Sequence, residues 1–336
     1  MKLLVTGGCG FIGCNFVRDH LREFPGDTVV NLDALTYAGN PENLADVEDN
    51  RNYRFVKGDV ADFDLVEKLF ADEKFDAVVH FAAESHVDRS IENPQVFLRT
   101  NVLGTQSLLL AAHKHGVKRY VQISTDEVYG TLGPEGEFFE TTPLAPRSPY
   151  SASKASADLL VMSYFTTYNL PVLITRCSNN YGPYQFPEKV LPLMTINALA
   201  DKELPVYGDG LQRREWLHVS DHCSAIELVL QKGVPGQVYN VGGVNEKTNM
   251  EVITRLLEIL GKPASLIKHV KDRPGHDRRY AINADKIQRE LGWKARVGFE
   301  EGLEETIRWY LDNRAWWEKI VSGEYRQYYE RMYGGR

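Results

Sequence analysis

The sequence is poor in cysteine. The four present, Cys9, Cys14, Cys177 and Cys223, include no CxxC pair, which argues against a disulfide framework or a thiolate metal cluster. It also lacks a long uninterrupted apolar run. The opening MKLLVTGGCGFIGCNF is broken by glycine at once and reads as neither a secretory leader nor a spanning helix. Basic residues are outnumbered: 39 Lys and Arg stand against 46 Asp and Glu, a net charge of −7. Such a chain is a poor electrostatic partner for nucleic acid or an anionic membrane, so neither is expected as a partner. Internal repeats and low-complexity tracts are missing too. What remains is a globular protein expected in the cytoplasm, with four free thiols. A phosphorylated ligand would need a local basic pocket.

Short apolar runs alternate with longer helical patterns. Lys2 to Val5, Thr28 to Leu32, Tyr53 to Val56, Ala77 to Phe81, Tyr120 to Ser124 and Val172 to Thr175 are apolar on both faces, as buried parallel strands are. Asn93-Pro94 opens a helix towards His115, and Ser148-Pro149 opens another to about Tyr168, each a cap followed by proline at the first helical position. This alternation predicts an α/β fold with a doubly wound parallel Rossmann sheet. After Arg176 the pattern loosens into glycine, proline and tyrosine clusters, then a helical run from Asn249 to Leu260. The expected division is 1–176 as a dinucleotide-binding domain, completed by 213–243. Residues 177–212 and 244–336 then form a smaller mixed α/β substrate domain. Trp309, Trp316 and Trp317 near the C-terminus read as packing residues.

The first strand runs into glycines at 7, 10 and 13, a GxxGxxG loop that opens an amphipathic helix carrying Phe16, Val17 and Leu21. Glycine there allows a tight turn and lets main-chain N–H groups approach a pyrophosphate at a helix N-terminus. Asp33 ends the second strand 20 residues past Gly13. A carboxylate at that point accepts both ribose hydroxyls and repels a 2′-phosphate, so NAD is favoured over NADP. Asp59-Val60, after the third strand, is placed to meet the adenine, although Asp59 alone is equally a turn residue.

Tyr150 and Lys154 are four apart on a helix and share one face. That spacing suits a tyrosinate base whose pKa an adjacent ammonium lowers. Asp126 and Glu127 follow Ser124-Thr125 at the C-terminal end of a strand, where ligands of α/β sheets bind. Alcohol oxidation needs no such pair. Two adjacent carboxylates suit a reaction in which a proton leaves one carbon and a hydroxyl leaves the next, because like charges held close separate into one acid and one base. On spacing alone a solvated acidic turn remains open.

With Thr125 beside the Tyr-xxx-Lys helix, the chain resembles the extended branch of the short-chain dehydrogenase/reductase superfamily. The segments LDALTYAGN, HFAAESHVDRS, STDEVYG, SPYSASKASAD, RCSNNYGPYQFPEK and REWLHVSDH resemble the dTDP-glucose 4,6-dehydratase family along nearly the whole chain. STDEVYG is the specific one, since sugar epimerases of the branch usually lack the acidic pair.

The resemblance implies NAD as cofactor, dTDP-glucose as substrate and a homodimer built on the helices 94–115 and 149–168. It implies a catalytic set of Thr125, Asp126, Glu127, Tyr150 and Lys154. Tyr150 takes the C4 hydroxyl proton, Glu127 the C5 proton, Asp126 protonates the departing C6 hydroxyl, and Thr125 hydrogen-bonds the C4 oxygen. For NAD it implies Gly7, Gly10, Phe11, Ile12, Gly13, Asp33, Thr36, Asp59 and Val60, with Ala82, Ala83, Thr100, Tyr150, Lys154 and Asn180. For the substrate it implies Ser85, Thr125, Asn179, Glu188 and Lys189, with Arg214, Asn249, Arg273 and His276. The residues alone do not choose between Arg213 and Arg214; the family match selects Arg214.

No metal is expected. His218 and His222 are i, i+4, but no third ligand accompanies them; His113 and His115 are two apart and face different ways. Three rivals stand beside the main reading: a UDP-glucose 4,6-dehydratase, a nucleotide-sugar 4-epimerase, and a catalytically silent NAD-binding scaffold. Asp126 and Glu127 argue against the epimerase, and the intact Tyr150 and Lys154 against the scaffold.

Overall fold

The computed structural model describes residues 1–243, 245–272 and 276–322. The strands are β1 (Lys2–Thr6), β2 (Thr28–Asp33), β3 (Tyr53–Lys57), β4 (Ala77–His80), β5 (Arg119–Thr125), β6 (Val172–Cys177), β7 (Asn179–Tyr181), β8 (Leu204–Tyr207), β9 (Arg213–His218), β10 (Val238–Val241), β11 (Glu246–Thr248) and β12 (Ile267–Val270). The helices used below are α1 (Phe11–Glu23), α2 (Phe63–Glu73), α3 (Val87–Glu92), α4 (Pro94–Phe97), α5 (Thr105–Lys114), α6 (Pro149–Tyr168), α7 (Val190–Leu199), α8 (Val219–Lys232) and α9 (Asn249–Leu260).

Seven strands form one sheet in the order β10-β6-β5-β4-β1-β2-β3, every neighbouring pair parallel. Successive side chains point to opposite faces, and both faces are covered. Leu3, Val5, Val29, Val79, Val121 and Leu173 pack on one side against Phe16 and Val17 of α1 and Ile226 and Val229 of α8. Leu4, Val30, Val78, Tyr120 and Val172 pack on the other against Phe70 of α2, Leu108 of α5 and Val161 of α6. Chain order reverses between β1 and β4, and ligands of doubly wound sheets bind at such a switch point.

Two expectations are corrected here. Tyr53–Lys57 is an edge strand whose residues are exposed or half-buried, because it has a neighbour on one side only. The helix expected from 94 to 115 is interrupted by a π-helical stretch at Leu98–Gly104, and Asn93 caps its start with no side-chain hydrogen bond. By contrast, Pro149–Tyr168 is one helix, opened by a reciprocal Ser148–Ser151 capping box.

One residue, Ser178, separates β6 from β7, so the chain passes directly from the large sheet into a three-stranded one, β11-β9-β7. Within 213–243, α8 and β10 lie with the large sheet, whereas Arg213–His218 pairs in the small one. Tyr181, Leu191, Met194, Trp216, Val252, Leu256 and Phe299 form the core beneath the small sheet. Trp317 buries against Tyr310 and Ile196 with Trp309 and Trp316 packed alongside, a packing role as read from the sequence. No described helix is long and apolar enough to cross a membrane.

Candidate active site

The glycine loop closes against the neighbouring strand. Gly7 has φ +72°, and a Cβ there would stand 2.6 Å from the main-chain nitrogen of Ala82. A Cβ on Gly13 would stand 2.4 Å from the carbonyl oxygen of Gly7. Only glycine permits this closeness, which brings the first turn of α1 to the mouth of the sheet. Asp33, buried at the end of β2, accepts from the N–H groups of Cys9 (2.9 Å) and Leu35 (2.8 Å). Burial raises its pKa, and those two N–H groups oppose the rise.

A cleft runs from this loop across the ends of β4, β5 and β6 into the smaller sheet. Gly7, Gly10, Phe11, Ile12, Gly13, Asp33, Thr36, Asp59 and Val60 lie on its wall, as do Ala82, Ala83, Thr100 and Asn180. Thr125, Asp126, Glu127, Tyr150 and Lys154 line its middle. Ser85, Asn179, Glu188, Lys189, Arg214, Asn249 and His276 line the far end. Arg273 lies outside the described residues.

At the centre, Thr125 ends β5 and Asp126–Tyr129 form a 3-10 turn. The Thr125 hydroxyl donates to Asp126 Oδ1 at 3.2 Å and accepts from the Glu127 N–H at 3.2 Å. Asp126 Oδ2 is buried with no hydrogen-bond partner. Burial, then the charges of Glu127 and Glu215, push the Asp126 carboxyl well above its ordinary value and so favour its protonated form.

Tyr150 and Lys154 share one buried face of α6. Tyr150 differs from the sequence expectation. Its pKa is raised, by burial first and by Glu127 and Cys177 next, with the Thr125 hydrogen bond opposing. The Lys154 ammonium is directed to the carbonyl oxygen of Ile123 at 2.6 Å, and burial lowers its pKa. Desolvation is the largest cause for both groups: it raises the Tyr150 pKa together with the nearby carboxylates and lowers that of Lys154 against the charge of Asp158.

At the far end, Lys189 donates to the Ser85 carbonyl at 3.0 Å, and Glu188 accepts from Arg89 at 3.1 Å. Arg214 is buried, donating to the carbonyls of Arg213 and Asp277 at 2.8 Å each, with its guanidinium 4.5 Å from the centre of the Tyr280 ring. Arg213 points outward to Glu246 at 2.6 Å. The alternation of a β-strand separates the two neighbours, and Arg214 is the one on the cleft. His276 pairs with Asp272 at 2.6 Å.

Sequence reasoning missed Glu84, Asp88, Cys177 and Tyr207, which also line the cleft. The signal for Glu84 and Asp88 was their place just after a central strand, and for Tyr207 its place at the head of the YGDG segment. Nδ1 of His218 meets Ser220 at 2.8 Å and Nδ1 of His222 meets Asn180 at 2.9 Å. Among the described residues no group of three or more His, Cys, Asp or Glu side chains could hold a metal ion.

A doubly wound sheet with a glycine loop at its switch point, a Tyr-xxx-Lys helix and a strand-end Thr defines an extended short-chain dehydrogenase/reductase. The family model described as GDP-mannose 4,6 dehydratase matches residues 4–306. The dTDP-glucose 4,6-dehydratase of Streptomyces niveus is 54% identical over 326 residues, 96% of each chain. The crystal structure of dTDP-glucose 4,6-dehydratase from Bacillus anthracis str. Ames in complex with NAD has a TM-score of 0.90 and 52% identity, covering 95% of this chain and 99% of that one. The UDP-glucose 4-epimerase of Thermus thermophilus, solved with NAD, has a TM-score of 0.87 at 32% identity, covering 93% of this chain and 100% of that one. The chain belongs to this dehydratase family, among the dTDP-glucose 4,6-dehydratases.

Proposed function

We propose that the protein converts dTDP-glucose to dTDP-4-keto-6-deoxyglucose, as a hydro-lyase with resident NAD. The observation that carries the reading is the pairing of Asp126, buried with one carboxyl oxygen unpartnered, with Glu127 on one turn in the same cleft as Tyr150. An epimerase has no use for an acid and a base side by side.

The donor set suits NAD. The N-terminus of α1 offers main-chain N–H groups to a diphosphate, and Asp33 is held where a ribose diol is expected and a 2′-phosphate is repelled. Asp59 and Val60 are placed for the adenine end, and Lys154 for the nicotinamide ribose. When bound, NAD supplies the hydride acceptor and donor of a redox-neutral sequence.

Tyr150 would take the proton of the C4 hydroxyl once the positive charge of a bound nicotinamide ring offsets the burial that raises its pKa, with Thr125 holding the same oxygen. The C4 ketone acidifies C5–H, and Glu127 removes that proton. Asp126 supplies its proton to the C6 hydroxyl, which leaves as water. Lys189 and Arg214 face the diphosphate, with Ser85, Asn179, Glu188, Asn249 and His276 around the sugar nucleotide. Arg273 belongs to the same set by family position.

We place the domain division at the junction after β6, with 1–176 plus 219–243 as the NAD-binding part. We also propose a homodimer. Leu98 and Leu103 of the π-helical stretch, Leu110 of α5 and Leu159 of α6 are exposed, Leu159 to 63%, on adjacent elements. Apolar side chains grouped in this way mark an association face. The four buried free thiols suit the reducing cytoplasm.

Turnover with dTDP-glucose, UDP-glucose and GDP-mannose tests the reading. The expected result is the highest kcat/KM for dTDP-glucose and a 4-keto product lighter by one water. Faster turnover of either other nucleotide sugar, or a C4-inverted product of unchanged mass, would overturn it.

A further inference from the structure

Beneath the cleft, four buried polar side chains that do not line it form a connected chain. Arg176, on β6 opposite Ser124 of β5, donates from Nε to Asp158 Oδ2 at 2.8 Å and from Nη1 to the Tyr129 hydroxyl at 3.0 Å. Tyr129 in turn donates to Asn240 Oδ1 at 2.8 Å. None of the four is more than 5% exposed.

The two partners of Arg176 belong to the two halves of the catalytic set. Asp158 lies one turn beyond Lys154 on α6, and Tyr129 closes the 3-10 turn that begins with Asp126 and Glu127. One guanidinium therefore joins the helix of the tyrosine to the turn of the acid and base. Its planar fork fixes both directions at once, which a single point charge cannot do. A buried ion pair is weak evidence for stability, since apolar residues of equal volume often serve as well; a requirement for fixed geometry explains it better.

We propose that Arg176 and Tyr129 are positioning residues for the elimination step, holding the Asp126–Glu127 turn in register with Tyr150 and Lys154. The inference rests on the 4,6-dehydration reading and adds to it residues that touch neither sugar nor cofactor.

The test uses the holoenzyme in single turnover with dTDP-glucose. Appearance of NADH absorbance reports C4 oxidation, and its decay reports passage through elimination. Tyr129→Phe removes one hydroxyl and keeps the ring, stacked 5.1 Å from Phe138. Arg176→Lys keeps the buried cation beside Asp158 and is the second variant should the first not fold. Tyr239→Phe, which deletes a buried tyrosine hydroxyl on β10 away from the cleft, is the control.

Displacement of a reacting group by about 1 Å costs up to ~10²-fold. Tyr129→Phe and Arg176→Lys are therefore expected to slow the decay by about 10–10²-fold, with the rise and KM within about twofold of wild type. Tyr239→Phe leaves both phases unchanged. Equal slowing of rise and decay, or no slowing of either, overturns the proposal. Wild-type enzyme that forms no 4-keto-6-deoxy product would instead overturn the functional reading, and the positioning role with it.

Discussion

Thr125 donates to Asp126 at 3.2 Å, and this leaves the second carboxyl oxygen of Asp126 buried and without a partner in the wall of the cleft. Burial favours the protonated form of this carboxyl, and its unpartnered oxygen gives that proton one direction in which to go. Tyr150 stands in the same cleft on another element, α6. Oxidation and elimination are therefore carried by separable groups.

Asp126→Asn and Glu127→Gln are expected to keep C4 oxidation and lose dehydration. Loss of one general acid or base typically costs ~10²–10⁴ in rate. Stopped-flow absorbance should show NADH formed on substrate and persisting. Dehydration at the wild-type rate by either variant would remove that residue from its assigned role.

Asp126 also predicts a pH dependence of stability. Its folded pKa is raised, so its contribution is fully present below the unfolded aspartate pKa and is lost as pH rises towards the folded value. Asp126→Asn removes the ionisation. Its Tm should exceed that of wild type by an amount that grows as pH rises above the unfolded aspartate range. A Tm difference independent of pH would show that the carboxyl is not the titrating group. The same sign limits catalysis: elimination fails on the alkaline side, as the acid loses its proton.

Asp33 predicts the nucleotide that co-purifies. Denaturation of the protein should release NAD, and mainly NADP would contradict the reading. Asp33→Ala loses the ribose diol contact and should weaken NAD retention by about 10–10²-fold, roughly 1.5–3 kcal/mol for a charged hydrogen-bonding group.

Arg213 and Arg214 should behave oppositely. Arg214→Ala leaves the diphosphate end without its buried guanidinium and is expected to raise KM by about 10–10²-fold. Arg213→Ala removes an outward pair with Glu246 and should change KM by less than about threefold, since exposed pairs contribute ~0–1 kcal/mol. Similar effects from both would mean that the strand does not sort them.

Hydride should return to the sugar it came from. With C4-deuterated, carbon-13-labelled substrate mixed with unlabelled substrate, deuterium is expected at C6 of carbon-13 product alone, while C5 exchanges with solvent through Glu127. Scrambling between the two populations, read by mass spectrometry, would contradict a sequence completed within one closed cleft.

Much of this protein is dictated by local order in the chain. Runs such as Leu3–Val5 and Val78–Val79 are apolar on both faces, which only a covered parallel sheet accommodates. Gly7 and Gly13 permit backbone contacts that any side chain would block, and the i, i+4 spacing of Tyr150 and Lys154 sets them on one helical face. These features depend on nearest neighbours and period, and they are visible in sequence. Other features depend on what the fold brings from elsewhere. Strand β3 looks buried by composition but lies at an edge, because sheet order is a property of the whole topology. Arg213 and Arg214 are equal as letters and differ only in which face of β9 meets the cleft. Tyr150 was expected to be held low by Lys154, yet burial and the carboxylates Glu127 and Asp126 from another element push its pKa up. Arg176 carries no motif of its own; it matters because β6 sets it between Asp158, 18 residues before it, and Tyr129, 47 residues before it. Desolvation and long-range charge arise only when distant segments meet, so their balance is decided by the tertiary structure.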